Sequence, residues 1–334
     1  MNIRVTGQSG ELAFPFRTSG PWIVFANQLI EDGFNILEEN DLRDPDALVV
    51  NGISRNLNKF LNLTKVPDSK KVLVVWEPKV VKPKLYDNGF LSGFGLVLAP
   101  SPIWAKSVQG LSFNWPQDKF SDITEFDSWT KRINGPVMMQ SNKFSAIKGE
   151  MYSLRRSIIA HLDSKNFAIY GPHWNRGYLY DSVHWLRSAL SSDPRDFSLK
   201  SSRTMGGKYV SYKGTADNKE DVYRNFRIAI VVENSLDFVS EKLFDAVNRD
   251  CLVVYVGPNL KKFAIPEEGI QVVEASTNSV IRKVNELQSL SANEQYEIVL
   301  AQKRSLSSVI NNFENYSVLK NLAITISQFL RAKI

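Results

Sequence analysis

The sequence predicts an α/β protein made of two Rossmann-like halves, and three observations carry that expectation. Its 334 residues give room for two ordinary domains. Short apolar runs bounded by Gly, Pro, Asn or charge alternate with helix-length amphipathic segments along the chain. The stretch 226–258 (FRIAIVVENSLDFVSEKLFDAVNRDCLVVYVGP) reads as one strand–helix–strand unit. Its apolar runs Ile228–Val232 and Leu252–Val256 have the character of strands buried on both faces. Between them Leu243, Phe244 and Val247 share one helical face, so a right-handed crossover is expected.

In order, Ile3–Val5 is a short first strand, and the following T-G-x-x-G (Gly7, Gly10) fits a tight turn better than a phosphate loop. Trp22–Asp32 reads as a helix ending near Gly33. Asn35–Leu37, Ala47–Val50, Lys71–Trp76 and Phe94–Leu98 read as further strands, the third ending at Glu77-Pro78. Asn114–Thr130, polar and aromatic with Trp115 and Trp129, resists assignment. Gly135–Gln140 is strand-like, and a polar loop near 138–149 suggests the exchange between domains. Glu150–Leu162 is helical, with Leu154, Ile158, Ile159 and Leu162 on one side and Arg155 and Arg156 opposite. Phe167–Tyr170 is the first strand of the second half, and Pro172–Gly177 follows it as a loop carrying His173 and Arg176. Beyond Gly257, Ile270–Val273 is strand-like, while Thr277–Leu287, Ser291–Asn312 and Tyr316–Lys333 are helical. The domains expected are 1–145, 146–312 and a closing helix, 313–334, that braces the first.

Composition narrows the class. Apolar residues at 43% and charged residues at 23% describe a globular chain. The single cysteine, Cys251, precludes an internal disulfide and reads as a packed thiol. Met1-Asn2-Ile3-Arg4 runs straight into a strand, so no signal peptide is expected, and no apolar run reaches the roughly 20 residues of a membrane span. A cytoplasmic setting follows as the expectation. Forty-one Lys and Arg against 35 acids favour anionic partners. The tip residues Arg331 and Lys333 supply about 2 kcal/mol toward anionic lipid, enough only for transient contact at the inner membrane face. Asp44-Pro45-Asp46 has D-x-D spacing but sits in a Pro-containing turn, and His161, His173 and His184 are scattered, so no metal site is expected.

The polar residues of 226–258 fall where parallel sheets take ligands. Glu233 and Asn234 follow the first strand directly, and Ser240, Glu241 and Lys242 open the helix, whose free N–H groups suit phosphate. On spacing alone, Ser240 as a cap with Glu241 and Lys242 on a solvated first turn is the commoner arrangement. Glu77, just past a buried strand, stands at the ligand edge of the first half or in an ordinary surface turn.

Glu233-Asn234-Ser235, then Val239-Ser240-Glu241-Lys242-Leu243-Phe244-Asp245-Ala246, a buried strand and Gly257-Pro258 resemble the donor-binding signature of the α-1,3/1,4-fucosyltransferases, glycosyltransferase family 10. Pro258–Val273 resembles the continuation, and Arg227 matches a basic residue usual before the strand. The resemblance implies a GT-B architecture, two Rossmann-like domains facing a cleft, with GDP-fucose on the second and an acceptor oligosaccharide or glycolipid on the first. It implies inverting transfer without a required cofactor, with Glu77 as base, and Arg176, Asn234, Ser240, Glu241, Lys242, Glu233, Arg227 and Phe238 around the donor. Departures are present. Phe238 stands where the family often has Tyr and forgoes a hydroxyl bond to phosphate, Tyr178–Arg203 is a longer link, and Lys208 competes with Arg176 as the diphosphate cation. A GT-B enzyme for another GDP- or UDP-sugar, and a basic nucleotide- or nucleic-acid-binding module, are the alternatives. The absence of aromatic RNA-binding stripes argues against a nucleic-acid partner.

Overall fold

A computed structural model describes residues 1–6, 20–38, 41, 43–52, 65–107, 110–163, 166–190 and 209–333. The T-G-x-x-G glycines and Lys208 lie outside these residues. The chain divides into two units, Met1–Lys119 with Asn311–Ile334, and Phe120–Ile310.

The first unit is built on six parallel strands: β1 (Asn2–Val5), β2 (Asn35–Ile36), β3 (Ala47–Asn51), β4 (Lys71–Val74), β5 (Leu96–Ala99) and β6 (Leu111–Ser112). Their order across the sheet is β2-β1-β3-β4-β5-β6. Every residue of β3 and β4 is buried, as a sheet covered on both faces requires. Alternation sorts the side chains: Val49, Val72 and Val74 join one apolar cluster, while Leu48, Val50 and Leu73 join another on the opposite face. β6 falls outside the strands expected from sequence, because both its residues are exposed and no buried apolar run marks it.

The helix Asn315–Arg331 belongs to this unit. Leu319, Leu322, Ala323, Ile326 and Leu330 form its apolar stripe and share a cluster with Phe25, Ala26 and Leu29 of the helix Trp22–Glu31. The guanidinium of Arg331 donates to the Asp32 carbonyl, and Lys333 lies 5.6 Å from the Phe329 ring centre. The basic tip is thus engaged with its own unit. Among the described residues no helix is long and apolar enough to cross a membrane.

The second unit holds five parallel strands, β7 (Ile133–Met139), β8 (Ala168–Tyr170), β9 (Phe226–Val232), β10 (Leu252–Val256) and β11 (Gln271–Val272). They are ordered β11-β10-β9-β7-β8. The exchange between units therefore falls at 119/120 and not near 138–149, because β7 pairs with β8 and β9 and so opens the second sheet. The polar loop that suggested a boundary is a strand-to-helix connection inside one unit. β9 and β10 run in register from Leu252 opposite Ile228 to Val256 opposite Val232, as the crossover unit predicts.

Both sheets carry the 2-1-3-4-5 order in which the direction of winding reverses between the first and third strands. Ligand crevices of open parallel sheets lie at that reversal, outside the carboxyl ends of the strands. Here those places are the ends of β1 and β3 in the first unit and of β7 and β9 in the second.

Ile326 has no exposure and belongs to the apolar cluster that the two helices share. Ile326→Ala should lower stability by about 2–5 kcal/mol through the cavity it leaves. The measurement is the urea midpoint, which should fall with an unchanged m-value.

Candidate functional site

At the end of β9 the chain places a carboxylate where no water reaches it. Glu233 has zero exposure, and its two oxygens accept from Ser240, one from the backbone N–H at 3.0 Å and one from the hydroxyl at 2.6 Å. The Ser240 hydroxyl in turn accepts from Lys242 Nζ at 2.8 Å. Ser240 thus occupies the N-cap position of the helix Glu241–Asn248 without capping it, since its side chain is committed to Glu233. The first turn therefore lacks a cap from Ser240 and begins beside an ammonium group, with the Glu241 carboxyl bonded to its own backbone N–H. Lys242 also pairs with Glu241 at 3.6 Å, and its side chain is 17% exposed against 36% for Glu241, so both reach the surface.

Burial pushes the Glu233 carboxyl above its ordinary value, with Lys242 and the two Ser240 bonds opposing it. At Glu241 burial is the largest influence and pushes upward, but the Lys242 ammonium, a bond from the backbone N–H and the Lys219 charge together outweigh it, and the group lies below its ordinary value. Burial drives the hydroxyl of Tyr255, on β10, well above its ordinary value. Gly257 is fixed by this packing, since any Cβ there would collide with the Tyr255 hydroxyl and the Glu233 side chain.

One strand over, the winding reversal is occupied by groups that periodicity did not single out. Gln140, just past β7, donates from Nε2 to the Val232 carbonyl at 2.9 Å. Arg155 donates from Nη2 to the same carbonyl at 2.6 Å and to Asn234 Oδ1 at 2.9 Å. Arg155 and Arg156, opposite the apolar face of the helix Tyr152–Leu162, are only 1% and 2% exposed. Aromatic faces cover them: Tyr152 lies 4.8 Å from the Arg155 guanidinium and Phe144 lies 3.9 Å from that of Arg156. Burial lowers both pKa values, that of Arg156 to about 10, and a guanidinium at that value keeps its proton at neutral pH. The signal available in the sequence was the paired arginines in the helix that follows the first strand of a doubly wound unit.

Of the residues named from sequence, Glu233, Asn234, Ser240, Glu241 and Lys242 converge at this edge. Phe238 is buried in the 233–240 connection, 3% exposed. Arg176 lies past β8, two strand spacings or roughly 10 Å along the edge from β9. Its guanidinium stacks 3.9 Å from the Tyr180 ring centre, and Tyr180 packs on His184 at 4.1 Å. Its loop is held by Gly171, at φ +134°, where a Cβ would strike the Gln140 carbonyl. Arg227 does not join the site. It opens β9 at the far end, about 20 Å from Glu233 along the strand. There it lies 5.1 Å from the Trp129 ring centre and donates to the Thr130 carbonyl, a packing role that a basic residue beside a strand cannot reveal in advance.

Glu77 belongs to the first unit. It follows Trp76 two residues past β4, and its backbone carbonyl accepts from the Tyr86 hydroxyl at 3.1 Å. Beside it the winding reversal of the first sheet is closed by Thr6 Oγ1, which accepts from the Asn51 N–H at 2.8 Å, and by the Trp76 indole N–H, which donates to Asn51 Oδ1.

Glu233 gives a pH signature. An acid whose pKa is raised by folding binds more protons folded than unfolded, so its contribution to stability falls as pH rises above the ordinary 4.5. Each tenfold change in proton affinity is worth about 1.4 kcal/mol. Glu233→Gln should therefore lose less stability than the parent between pH 4.5 and neutrality, read from paired urea melts.

No family model and no curated protein sequence matches the chain. Solved structures do match it. An α1,3-fucosyltransferase crystallised with GDP superposes with a TM-score of 0.52 at 12% identity, over 98% of this chain and 90% of that one. The Anabaena protein HepE, in complex with UDP and glucose, gives 0.53 at 10% identity, over 98% and 100%. A glycosyltransferase from Rickettsia africae gives 0.51 at 12% identity, over 99% and 98%. The fold is the α/β fold of GT-B type, shared with these proteins.

Proposed function

We propose that the chain is an inverting glycosyltransferase that holds a nucleotide diphosphate sugar at the carboxyl edge of its second sheet. The observation that carries this reading is the Glu233–Ser240–Lys242 chain of bonds, which sets an ammonium group at the uncapped start of a helix in a doubly wound unit. A diphosphate is the ligand such an arrangement suits: the amides and Lys242 attract its charge, and Glu241 is placed to accept from sugar hydroxyls. Arg155 adds positive charge from beneath the same edge, by way of Asn234. Arg176 extends the basic side of the edge two strands away, and Arg227 takes no part.

The reaction assigned is in-line displacement. An acceptor hydroxyl oxygen attacks the anomeric carbon as the bond from that carbon to the diphosphate oxygen breaks. The hydroxyl proton passes to the Glu77 carboxylate, and the electron pair leaves with the nucleoside diphosphate, whose added charge Lys242 and the helix amides take up. The acceptor is a glycan or glycolipid. GDP-fucose is the donor that the 233–246 motif supports. A UDP-hexose is the second reading, favoured by Phe238 in place of a phosphate-binding Tyr and by the equally good match in fold to HepE, solved with UDP and glucose.

A melting-temperature series with GDP, UDP and ADP separates these readings, because a nucleotide that binds only the folded chain raises the midpoint. GDP is expected to give the largest shift, UDP the largest if the second reading holds, and no shift with any of them would defeat both. Lys242→Ala should cost about 2–4 kcal/mol in transition-state stabilisation, seen as a fall of roughly 30- to 1,000-fold in kcat. Glu77→Gln should leave the nucleotide shift intact while suppressing transfer; equal rates would assign the base elsewhere.

A further inference from the structure

A pocket of about 170 Å³ lies within the first unit, lined by Trp22, Trp76, Trp115, Pro21, Pro116 and Asn315 among others. It sits at the carboxyl edge of that sheet. Trp76 stands two residues past β4, Trp115 three past β6, and Trp22 opens the first helix after β1. Trp22 and Trp115 each pack edge-on against Trp76, with ring centres 5.4 Å apart and planes at 76° and 82°. Trp76 is itself pinned through its indole N–H to Asn51, so the central wall is set before any ligand arrives.

The lining selects its occupant. Three indoles and two proline rings offer flat apolar faces, and among the described residues no charged side chain lines the pocket. A phosphate would find no cation among the described lining residues, and an acyl chain would cover the Asn315 amide without satisfying it. A pyranose ring has both surfaces the pocket needs, an apolar face of C–H groups and a rim of hydroxyls. Asn315 Nδ2 is committed to Asp118 at 2.6 Å, which leaves its Oδ1 to accept from such a hydroxyl. The volume lies below the roughly 300–1,000 Å³ of sites that enclose a drug-sized ligand, and it admits one ring. Glu77 is the next residue after Trp76, about 3.8 Å away along the chain.

We propose that this pocket is an acceptor subsite, in which one pyranose ring of the acceptor stacks on the tryptophans and brings its neighbouring hydroxyl toward Glu77. This rests on the glycosyltransferase reading for its role, but the binding of a sugar ring there is testable without transfer. The test is saturation-transfer NMR on the full chain with methyl β-galactoside, methyl β-glucoside and methyl N-acetyl-β-glucosaminide, alongside the nucleotide melting shift. At least one glycoside is expected to receive saturation through its ring C–H protons. Trp115→Ala should weaken that binding by about tenfold, the effect of losing a stacked anchor, while Trp115→Phe retains most of it and the nucleotide shift stays unchanged in both. Trp22→Ala should act in the same direction as Trp115→Ala.

Saturation of none of the three glycosides, or equal saturation in the parent, Trp115→Ala and Trp22→Ala, would overturn the subsite. Saturation of the base protons of GDP or UDP that disappears with Trp115→Ala would overturn it too, by making the pocket a nucleobase site. Glycoside binding lost in the variants, with no nucleotide shift in the parent, would uphold the subsite and defeat the donor reading alone.

Discussion

The carboxylate of Glu233 is the constraint on which the second unit's ligand edge depends. Removing a carboxylate from water is expensive, and it persists only where bonds replace hydration. Ser240 supplies two such bonds, and because they come from its backbone and its hydroxyl together, they fix both the path of the 233–240 connection and the start of the helix. The hydroxyl then has an acceptor lone pair directed at Lys242. One buried acid therefore decides where a half-buried cation stands. Gly257 and Tyr255 close the far side of the same carboxylate, so the connection has little room to relax.

The second constraint is topological. A doubly wound sheet leaves a crevice where its winding reverses, and in the second unit the crevice lies between β7 and β9. Gln140 and Arg155 both donate to the Val232 carbonyl there, which uses the last acceptor of β9 to tie the first strand, the first helix and the central strand to one point. Asn234, held by Arg155, is consequently a fixed part of the edge. The first unit repeats the device with different chemistry, using Thr6, Asn51 and Trp76, and there the result is an aromatic wall instead of a cationic one.

Much of this was legible in the sequence because strands buried on both faces announce themselves. Ile228–Val232 and Leu252–Val256 could hardly be read otherwise, and the polar residues flanking them inherit positions from them. Contacts across the chain were not legible. Arg155 and Arg156 carry the composition of a solvated helix face, yet aromatic rings cover them, Tyr152 from one turn earlier in the same helix and Phe144 from the loop before it. Arg227 shared a motif with site residues but stands at the wrong end of its strand, since a seven-residue strand separates its two ends by more than a side chain can bridge. The true unit boundary was hidden because Ile133–Met139 resembles the strands on either side of it. The tryptophan pocket draws on residues from four widely separated segments, which no local pattern unites.

The most direct measurement of the central claim is a crystal structure with the nucleoside diphosphate that stabilises the chain best. The diphosphate is expected over the first turn of the 241–248 helix, with Lys242 Nζ within about 3.2 Å of a phosphate oxygen and Glu233 still bonded to Ser240. A nucleotide bound elsewhere, with Lys242 and Glu241 facing solvent, would contradict it.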